Sequence, residues 1–537
     1  MCPAFAAALR RVAWSREQTF TVLAASAGAA VVMLDTLAVN VALPRIQAEA
    51  HVGERGLQWL VTSYSLGMAV GVMPSGILAD RIGRKRLFMV SVALFAAGSL
   101  WAGLAGHLLG LVWARGLQGF AGAAITVTSL ALVSAAFTDS RQRARAIGIW
   151  TALASVSLAF GPLVGGLLTQ EWGWRSVFYV NLPVAVVALA LAGRGVTESR
   201  GERTRGFDWL GQTLFVIAIG AVTLGVIRGA HFGWTTAPVV TAFAVSAAAG
   251  AGFVRRELRT REPMVELRLF GEASYATALG VIFLQFFTVY GMLFIVTQYQ
   301  QNVVGDSPIR TGLLILPYPV MFIVLSAFMG RLMTRYPART LVLTGQALLT
   351  AGLLIITLGI AADAKMTMAG LGVTGLGCAF MVTPNTQLAM ATVPAQRSGM
   401  ASGIINLQRA LGSTLGLAVT GSILTASLGS TLDRALSQLI PETAERAAVV
   451  HSIAREANPH AYAGTIGPRR PIPEASPHFR ELLAKDVSDA FLRSSRVSLA
   501  VDTGVAAAAL LVLLVLPDRG HRGGAGGQTG GLRSTQM

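Results

Sequence analysis

The chain has 537 residues, of which 53% are hydrophobic and only 13% charged, with a mean hydropathy of +0.60. A soluble domain carries about 25% charged residues, so this composition excludes an ordinary soluble enzyme and points to an all-α polytopic membrane protein. The formal net charge of +17 does not imply nucleic acid, because the arginines are scattered through short loops between apolar runs, and Cys2 and Cys378 alone supply no disulfide framework.

Fourteen apolar runs are expected, at roughly 20–43, 57–79, 87–106, 108–135, 146–168, 174–193, 207–228, 236–254, 274–298, 311–330, 340–362, 366–391, 401–426 and 497–516. Alternate loops hold most of the arginine and lysine, from Arg10, Arg11 and Arg16 through Arg81–Arg86, Arg141–Arg145, Arg255–Arg268 and Arg331–Arg339 to the C-terminal tail. Positive charge prefers the cytoplasm, so both termini are expected inside a cell membrane.

The first run carries Leu34-Asp35-Thr36-Leu37-Ala38-Val39-Asn40, closed by Pro44. A span needs about 20 apolar residues. A carboxylate inside one costs roughly 2.5–3.5 kcal/mol, so Asp35 is expected to face a cavity or a partner. The fourth run supplies a cation, Arg115, in Arg115-Gly-Leu-Gln118-Gly119. Counted from the outer ends of their runs at 1.5 Å per residue, Asp35 and Arg115 share a depth of about 10–12 Å, so pairing or proton sharing is expected.

Between the second and third runs, Gly76-Ile-Leu-Ala-Asp80-Arg81-Ile-Gly83-Arg84-Lys85-Arg86 reads as a tight turn. Gly76 and Gly83 permit a sharp bend and close helix approach. Asp80 suits a basic neighbour or a facing helix N-terminus, a clasp for an inner gate, with plain positive-inside charge as the simpler reading. The fifth run holds Ser157-Leu-Ala-Phe-Gly161-Pro162-Leu-Val-Gly165-Gly166, where small residues four apart form a flat packing stripe and Pro162 is expected to kink the helix.

A weak repeat relates Gly76–Arg81 to Gly330–Arg335. Registering the two gives two six-helix pseudo-repeat halves, 20–193 and 274–516, with an inserted pair of helices in 194–273, after a cytoplasmic segment 1–19 and before a disordered tail 517–537. The C-terminal half includes a long polar outer segment, 430–496, expected as a small cap or mobile loop with helix-like stretches near 442–457 and 479–496. No Gly-Lys-Ser/Thr phosphate loop and no HExxH motif occurs, so neither an ATP-driven pump nor a metallohydrolase is expected, and no cofactor.

Taken together these motifs resemble the major facilitator superfamily, and within it the fourteen-helix drug:proton antiporters. Leu34–Pro44 is similar to that subfamily's first-helix signature, Gly76–Arg86 to the superfamily's loop motif, Leu111–Ala124 to its fourth-helix arginine motif, and Gly161–Gly166 to the exporters' antiporter motif. Trp174–Pro183, Tyr299-Gln300-Gln301 and Ser307–Gly312 resemble further family segments. Leu37 departs from the pattern, where a second Thr or Ser is common.

The resemblance implies a proton-coupled antiporter, not an enzyme, that exports small amphipathic compounds, plausibly antibiotics, by alternating access. Protons, lipid and a drug-like molecule are its implied partners, nucleic acid is not, and a monomer is expected. Asp35 and Arg115 would couple protons, and Gly76, Asp80, Arg81, Gly83 and Arg84 would form the gating loop. Asn40, Gln298, Asn385, Asn406 and Gln408 are candidates for the substrate cavity. Arg409 in the thirteenth run, with no acid in the tenth or thirteenth, speaks against a dicationic substrate. A proton-coupled importer and a non-transporting receptor or scaffold remain the alternatives.

Overall fold

A computed structural model describes residues 14–49, 53–137, 139–200, 208–260, 263, 270–391, 398–437 and 477–515. Every regular element among them is helical. The helical segments are α1 (Arg16–Glu49), α2 (Glu54–Ile82), α3 (Arg84–Leu104), α4 (Leu108–Ala136), α5 (Ser140–Trp172), α6 (Ser176–Gly195), α7 (Trp209–Phe232), α8 (Ala237–Arg259) and α9 (Ala273–Val304). They continue with α10 in two pieces (Pro308–Ile315 and Pro317–Arg335), α11 (Ala338–Gly359), α12 (Ala364–Ala391), α13 (Ser398–Leu436) and α14 (Pro477–Val515). Among the described residues 12 helices are long and apolar enough to cross a membrane, and 13 if α2, bent by 51° between Gly56–Val72 and Pro74–Ile82, is one span.

Proline sets the breaks. In α6 the helix interrupts at Val180, and Pro183 explains it: its ring would meet the carbonyl of Tyr179, four residues earlier. In α10 the interruption at Leu316 precedes Pro317. By contrast α5 continues through Pro162 as one helix from Ser140 to Trp172.

The packing repeats with a shift of eight. In the first half α1 packs on α4, α5 and α6, α2 on α4, and α3 on α4 and α6. In the second half α9 packs on α12, α13 and α14, α10 on α12, and α11 on α12 and α14. The inserted helices α7 and α8 pair with each other, tied at one end by the Arg256–Asp208 ion pair at 3.1 Å. Helix α7 also bridges the halves: Gln212 Nε2 donates to the Val70 carbonyl on α2, and the Ser422 hydroxyl on α13 donates to the Val226 carbonyl.

One end of the bundle is basic, carrying Arg84–Arg86, Arg194, Arg256 and Arg339. Two hydrogen bonds join the halves toward the other end. There Gln301 Nε2 donates to the Val41 carbonyl at 2.8 Å, and Gln58 Nε2 on α2 donates to Thr425 on α13 at 3.5 Å. In the outer segment 430–496, α13 runs to Leu436, and α14 begins at Pro477, takes in the stretch 479–496 expected as helix-like and is continuous through Val515. The stretch 442–457 lies outside the described residues.

Candidate functional site

Four helices of the first half converge on Asp35, which is fully buried. Arg115 Nη1, from α4, donates to Asp35 Oδ2 at 2.5 Å. Asn181 Nδ2, from the break in α6, donates to Oδ1 at 2.8 Å, and Gln118 Nε2 reaches the same oxygen at 3.4 Å. Arg115 and Gln118 lie three apart on α4 and so share a face, and Arg115 Nη1 also donates to Gln118 Oε1 at 3.0 Å. The Ser99 hydroxyl of α3 accepts from both Gln118 and Asn181. The guanidinium lies over the Tyr64 ring at 4.1 Å, and the Tyr64 hydroxyl is 3.3 Å from that of Thr36.

The cluster is formally neutral and closed to solvent. Removing two charges from water costs several kcal/mol per ion, and only good geometry with additional donors offsets it. The amides of Asn181 and Gln118 supply those donors. Depth along the two helices pairs Asp35 with Arg115, whereas Ser99, Asn181 and Tyr64 come from other helices, which no count along α1 or α4 reaches. Asn181 lay within the Trp174–Pro183 stretch that resembles a family segment, with no role attached; the helix break that turns it inward is the missing signal.

The glycines of α5 press on the same stretch of α1. A Cβ on Gly161 would sit 3.1 Å from Leu37 Cβ and 3.2 Å from the Leu34 carbonyl, and one on Gly165 would sit 2.6 Å from Ala38 Cα. Only glycine permits that backbone approach. The neighbouring residues face the other half: a Cβ on Gly166 would lie 2.6 Å from the Pro308 carbonyl, and one on Gly312 would meet the Pro162 carbonyl. The short motif thus touches the carboxylate helix on one side and α10 across the inter-half seam on the other.

At the basic end Asp80 pairs with Arg84 across one turn at 3.4 Å, and Arg81 is exposed. Gly83 has φ +107°, a conformation other residues rarely adopt, and a Cβ there would collide with Glu198. Among the described residues no atom would meet a Cβ on Gly76 within 4 Å. The carboxylate that meets a helix N-terminus is Glu198, not Asp80: it accepts from the backbone of Lys85 at 2.9 Å and Arg86 at 3.1 Å. Such groups are favoured at helix starts. The sequence hides this contact because Glu198 arrives from the loop after α6.

The substrate candidates scatter. Asn40 and Gln298 are buried in α1 and α9. Asn385 is also buried, and its amide donates to the Ala278 carbonyl, holding α12 to α9. Asn406 and Gln408 are half-buried on α13. Asn406 Oδ1 accepts from Arg409, whose other terminal nitrogen donates to Thr386. A carboxyl that the sequence reading passed over, Asp502 on α14, is fully buried and accepts from the Thr420 hydroxyl at 3.0 Å. Its place inside the last apolar run was legible by the criterion that singled out Asp35.

Repeated helical halves, a sealed ion-pair cluster in one of them and glycine contacts across the seam define a membrane transporter rather than an enzyme. The Major Facilitator Superfamily family model matches residues 25–417. The chain belongs to that superfamily, and is a multi-pass membrane protein and secondary transporter. It is 45% identical over 497 residues to the multidrug resistance protein Stp of Mycobacterium tuberculosis, covering 93% of this chain and 91% of that one. It is 40% identical to the drug efflux pump JefA of the same organism, over 84% of this chain and 89% of that one. It is 33% identical to the tetracenomycin C resistance and export protein of Streptomyces glaucescens, covering 83% of each. A solved bacterial homologue of the human lysosomal transporter Spinster, in an inward-facing conformation, aligns with TM-score 0.60 at 17% identity over 93% of this chain and 98% of that one, which shows the shared fold.

Proposed function

We propose that the protein is a proton-coupled antiporter that exports small amphipathic organic compounds, antibiotics among them, from the cytoplasm. The names of its relatives support the export reading, and the Asp35–Arg115 cluster carries the coupling reading. With the basic end in the cytoplasm, these seam contacts lie on the outer side.

A proton arriving at Asp35 Oδ2 takes the place now held by Arg115 Nη1. The guanidinium keeps Gln118 Oε1 and the Tyr64 ring as partners. Losing the ionic bond frees α1 to shift against α4 at Asp35. Within one turn of it, Leu34, Leu37 and Ala38 bear on Gly161 and Gly165, and the adjoining residues Pro162 and Gly166 bear on Gly312 and Pro308 of α10. Protonation at Asp35 thus reaches the inter-half seam through backbone contacts, which transmit small shifts because they have no soft side chain between them. Substrate binds between the halves, with Asn40, Gln298, Asn406 and Gln408 as its polar contacts; Asn385 belongs to this set only if the Ala278 bond opens. Arg409 forms no ion pair among the described residues, which disfavours doubly cationic substrates.

The test is exchange in proteoliposomes, with ethidium as probe. Wild type is expected to move protons against ethidium, and Asp35→Asn to abolish pH-driven exchange while ethidium binding persists. Unchanged pH-driven exchange in Asp35→Asn would overturn the role of this cluster.

A further inference from the structure

We propose that Asp502 on α14 is a second proton-exchanging carboxyl, the counterpart in the C-terminal half of the Asp35 site, and that it is linked to the inter-half seam through Thr420 on α13. The proposal rests on the antiport reading above. Its first support is position. Helices α1 and α6 of the first half correspond, by the repeated packing, to α9 and α14 of the second. Asp35 and Gly291 lie at the same distance from the starts of α1 and α9 to within one residue. Asn181 and Asp502 likewise lie at the same distance from the ends of α6 and α14. In the first half the carboxylate is on the first helix and its amide partner on the sixth. In the second half the pattern is exchanged: the first helix offers a glycine, and the sixth carries the acid.

The local geometry makes room for the acid and for a proton. A Cβ on Gly291 would lie 2.8 Å from Asp502 Oδ2 and would also meet the Thr420 side chain, so glycine there keeps the pocket open. Asp502 Oδ1 accepts from Thr420 Oγ1, while Oδ2 is buried with no hydrogen-bond partner among the described residues. None of the ion pairs among the described residues involves Asp502. The packed helices bring few other titratable groups. On α9, Tyr290 precedes Gly291 with its ring stacked on Phe286. On α13, Arg409 lies three turns toward the basic end, bonded to Asn406 and Thr386. On α11, Arg339 donates to the Leu513 carbonyl at the basic end. On α14 itself the outward face continues as Ser498, Ser495 and Ser494, all fully buried, a polar file leading from Asp502 toward the other end of the bundle.

A carboxylate with one hydroxyl donor and no cation is costly in an apolar surround, whereas the neutral acid loses little. Asp502 is therefore held as the acid in this conformation, with the proton on Oδ2. Releasing it requires a change at α13. Among the described residues Thr420 supplies the only donor, and the following residue, Gly421, is where α13 meets Gln58 of α2 across the seam: a Cβ on Gly421 would lie 2.8 Å from Gln58 Nε2. Separating the halves at that contact moves Thr420 and admits water or the serine file to Asp502. The proton leaves to water as the inter-half contact opens, and returns as it closes; no bond other than O–H is made or broken.

The experiment compares wild type, Asp502→Asn and Asp502→Glu in proteoliposomes, counting protons moved per ethidium, together with infrared spectra of the protein in lipid. Asn keeps the size of the side chain and an acceptor for Thr420 but cannot exchange a proton. If each carboxyl carries one proton per cycle, Asp502→Asn should lower the proton-to-ethidium ratio by roughly half, while Asp502→Glu keeps more of it. The carbonyl-stretch band of a protonated carboxylic acid should be present in wild type and lost in Asp502→Asn. The spectrum needs no transport activity, so it still decides the question if Asp502→Asn is inactive. Failure of wild type itself to exchange protons for ethidium would count against the antiport reading. Intact wild-type exchange, with an unchanged ratio and an unchanged acid band in Asp502→Asn, would overturn this inference alone.

Discussion

The two buried carboxyls occupy corresponding junctions and are held in opposite ways. Asp35 sits among an arginine, two amides and a serine, a set of donors that ties four helices together. Asp502 has one threonine hydroxyl and a glycine-lined space. A fold built from repeated halves can thus hold one acid by neutralising it with a cation, and the other by leaving it uncharged. On the antiport reading, the first arrangement would bind a proton by giving up an ion pair, and the second would lose one only when the packing opens.

The largest effect is expected from Arg115→Met. It strands an unpaired carboxylate in the first junction, and breaking a buried pair in this way costs about 3–5 kcal/mol. Detergent-solubilised Arg115→Met should melt well below wild type, and the double variant Asp35→Asn/Arg115→Met should recover much of that loss without recovering exchange. Asp502→Asn should melt close to wild type because it removes no charge partner. Equal melting losses for Arg115→Met and Asp502→Asn would erase the contrast between the junctions.

Next in size are the glycines that set the packing of each junction. Leucine at Gly165 must push back the α1 backbone at Ala38, whereas alanine at Gly291 meets mainly side-chain atoms of Thr420 and Asp502. Overpacking of the second kind costs about 1–3 kcal/mol. Gly165→Leu is expected to abolish ethidium exchange at matched expression, and Gly291→Ala to retain measurable exchange with an altered pH profile. If Gly165→Leu transports like wild type, α5 is an ordinary packing helix and the path from Asp35 to the seam is lost.

The smallest effects belong to the basic end, which separates two roles that the sequence had merged. Asp80 and Arg84 form a half-buried pair across the α2–α3 junction, worth at most about 1 kcal/mol. Glu198 caps α3 from another loop, and losing a cap costs roughly 0.5–2 kcal/mol. Asp80→Asn should therefore leave the melting temperature unchanged and slow turnover, while Glu198→Ala lowers it measurably. A larger melting loss for Asp80→Asn than for Glu198→Ala would assign the clasp to Asp80 after all.

Hydropathy by itself determined the class of this protein, because a helix that satisfies its own backbone is one of the few structures a bilayer accepts, and about 20 apolar residues announce it. It also exposed Asp35, since a charge in such a run has few other reasons to be there. Depth counted along two helices was enough to pair Asp35 with Arg115, as both are measured from the same membrane surface. The partners that make the pair tolerable were not legible: Ser99, Tyr64 and Asn181 are ordinary polar residues until three further helices, one broken ahead of Pro183, bring them to one point. The same holds at the basic end, where Gly83 announced a turn but not that Glu198 would close over it. Asp502 was readable as an intramembrane acid, yet only the packing of α14 on α9 and α13 revealed Gly291 and Thr420 as its surroundings, and the absence of a cation among the described residues around it. Composition and periodicity act within one helix, where neighbours are fixed by rise and turn. Which helices meet, and therefore whether a buried charge is neutralised or merely enclosed, is decided by tertiary contacts between residues far apart in the chain.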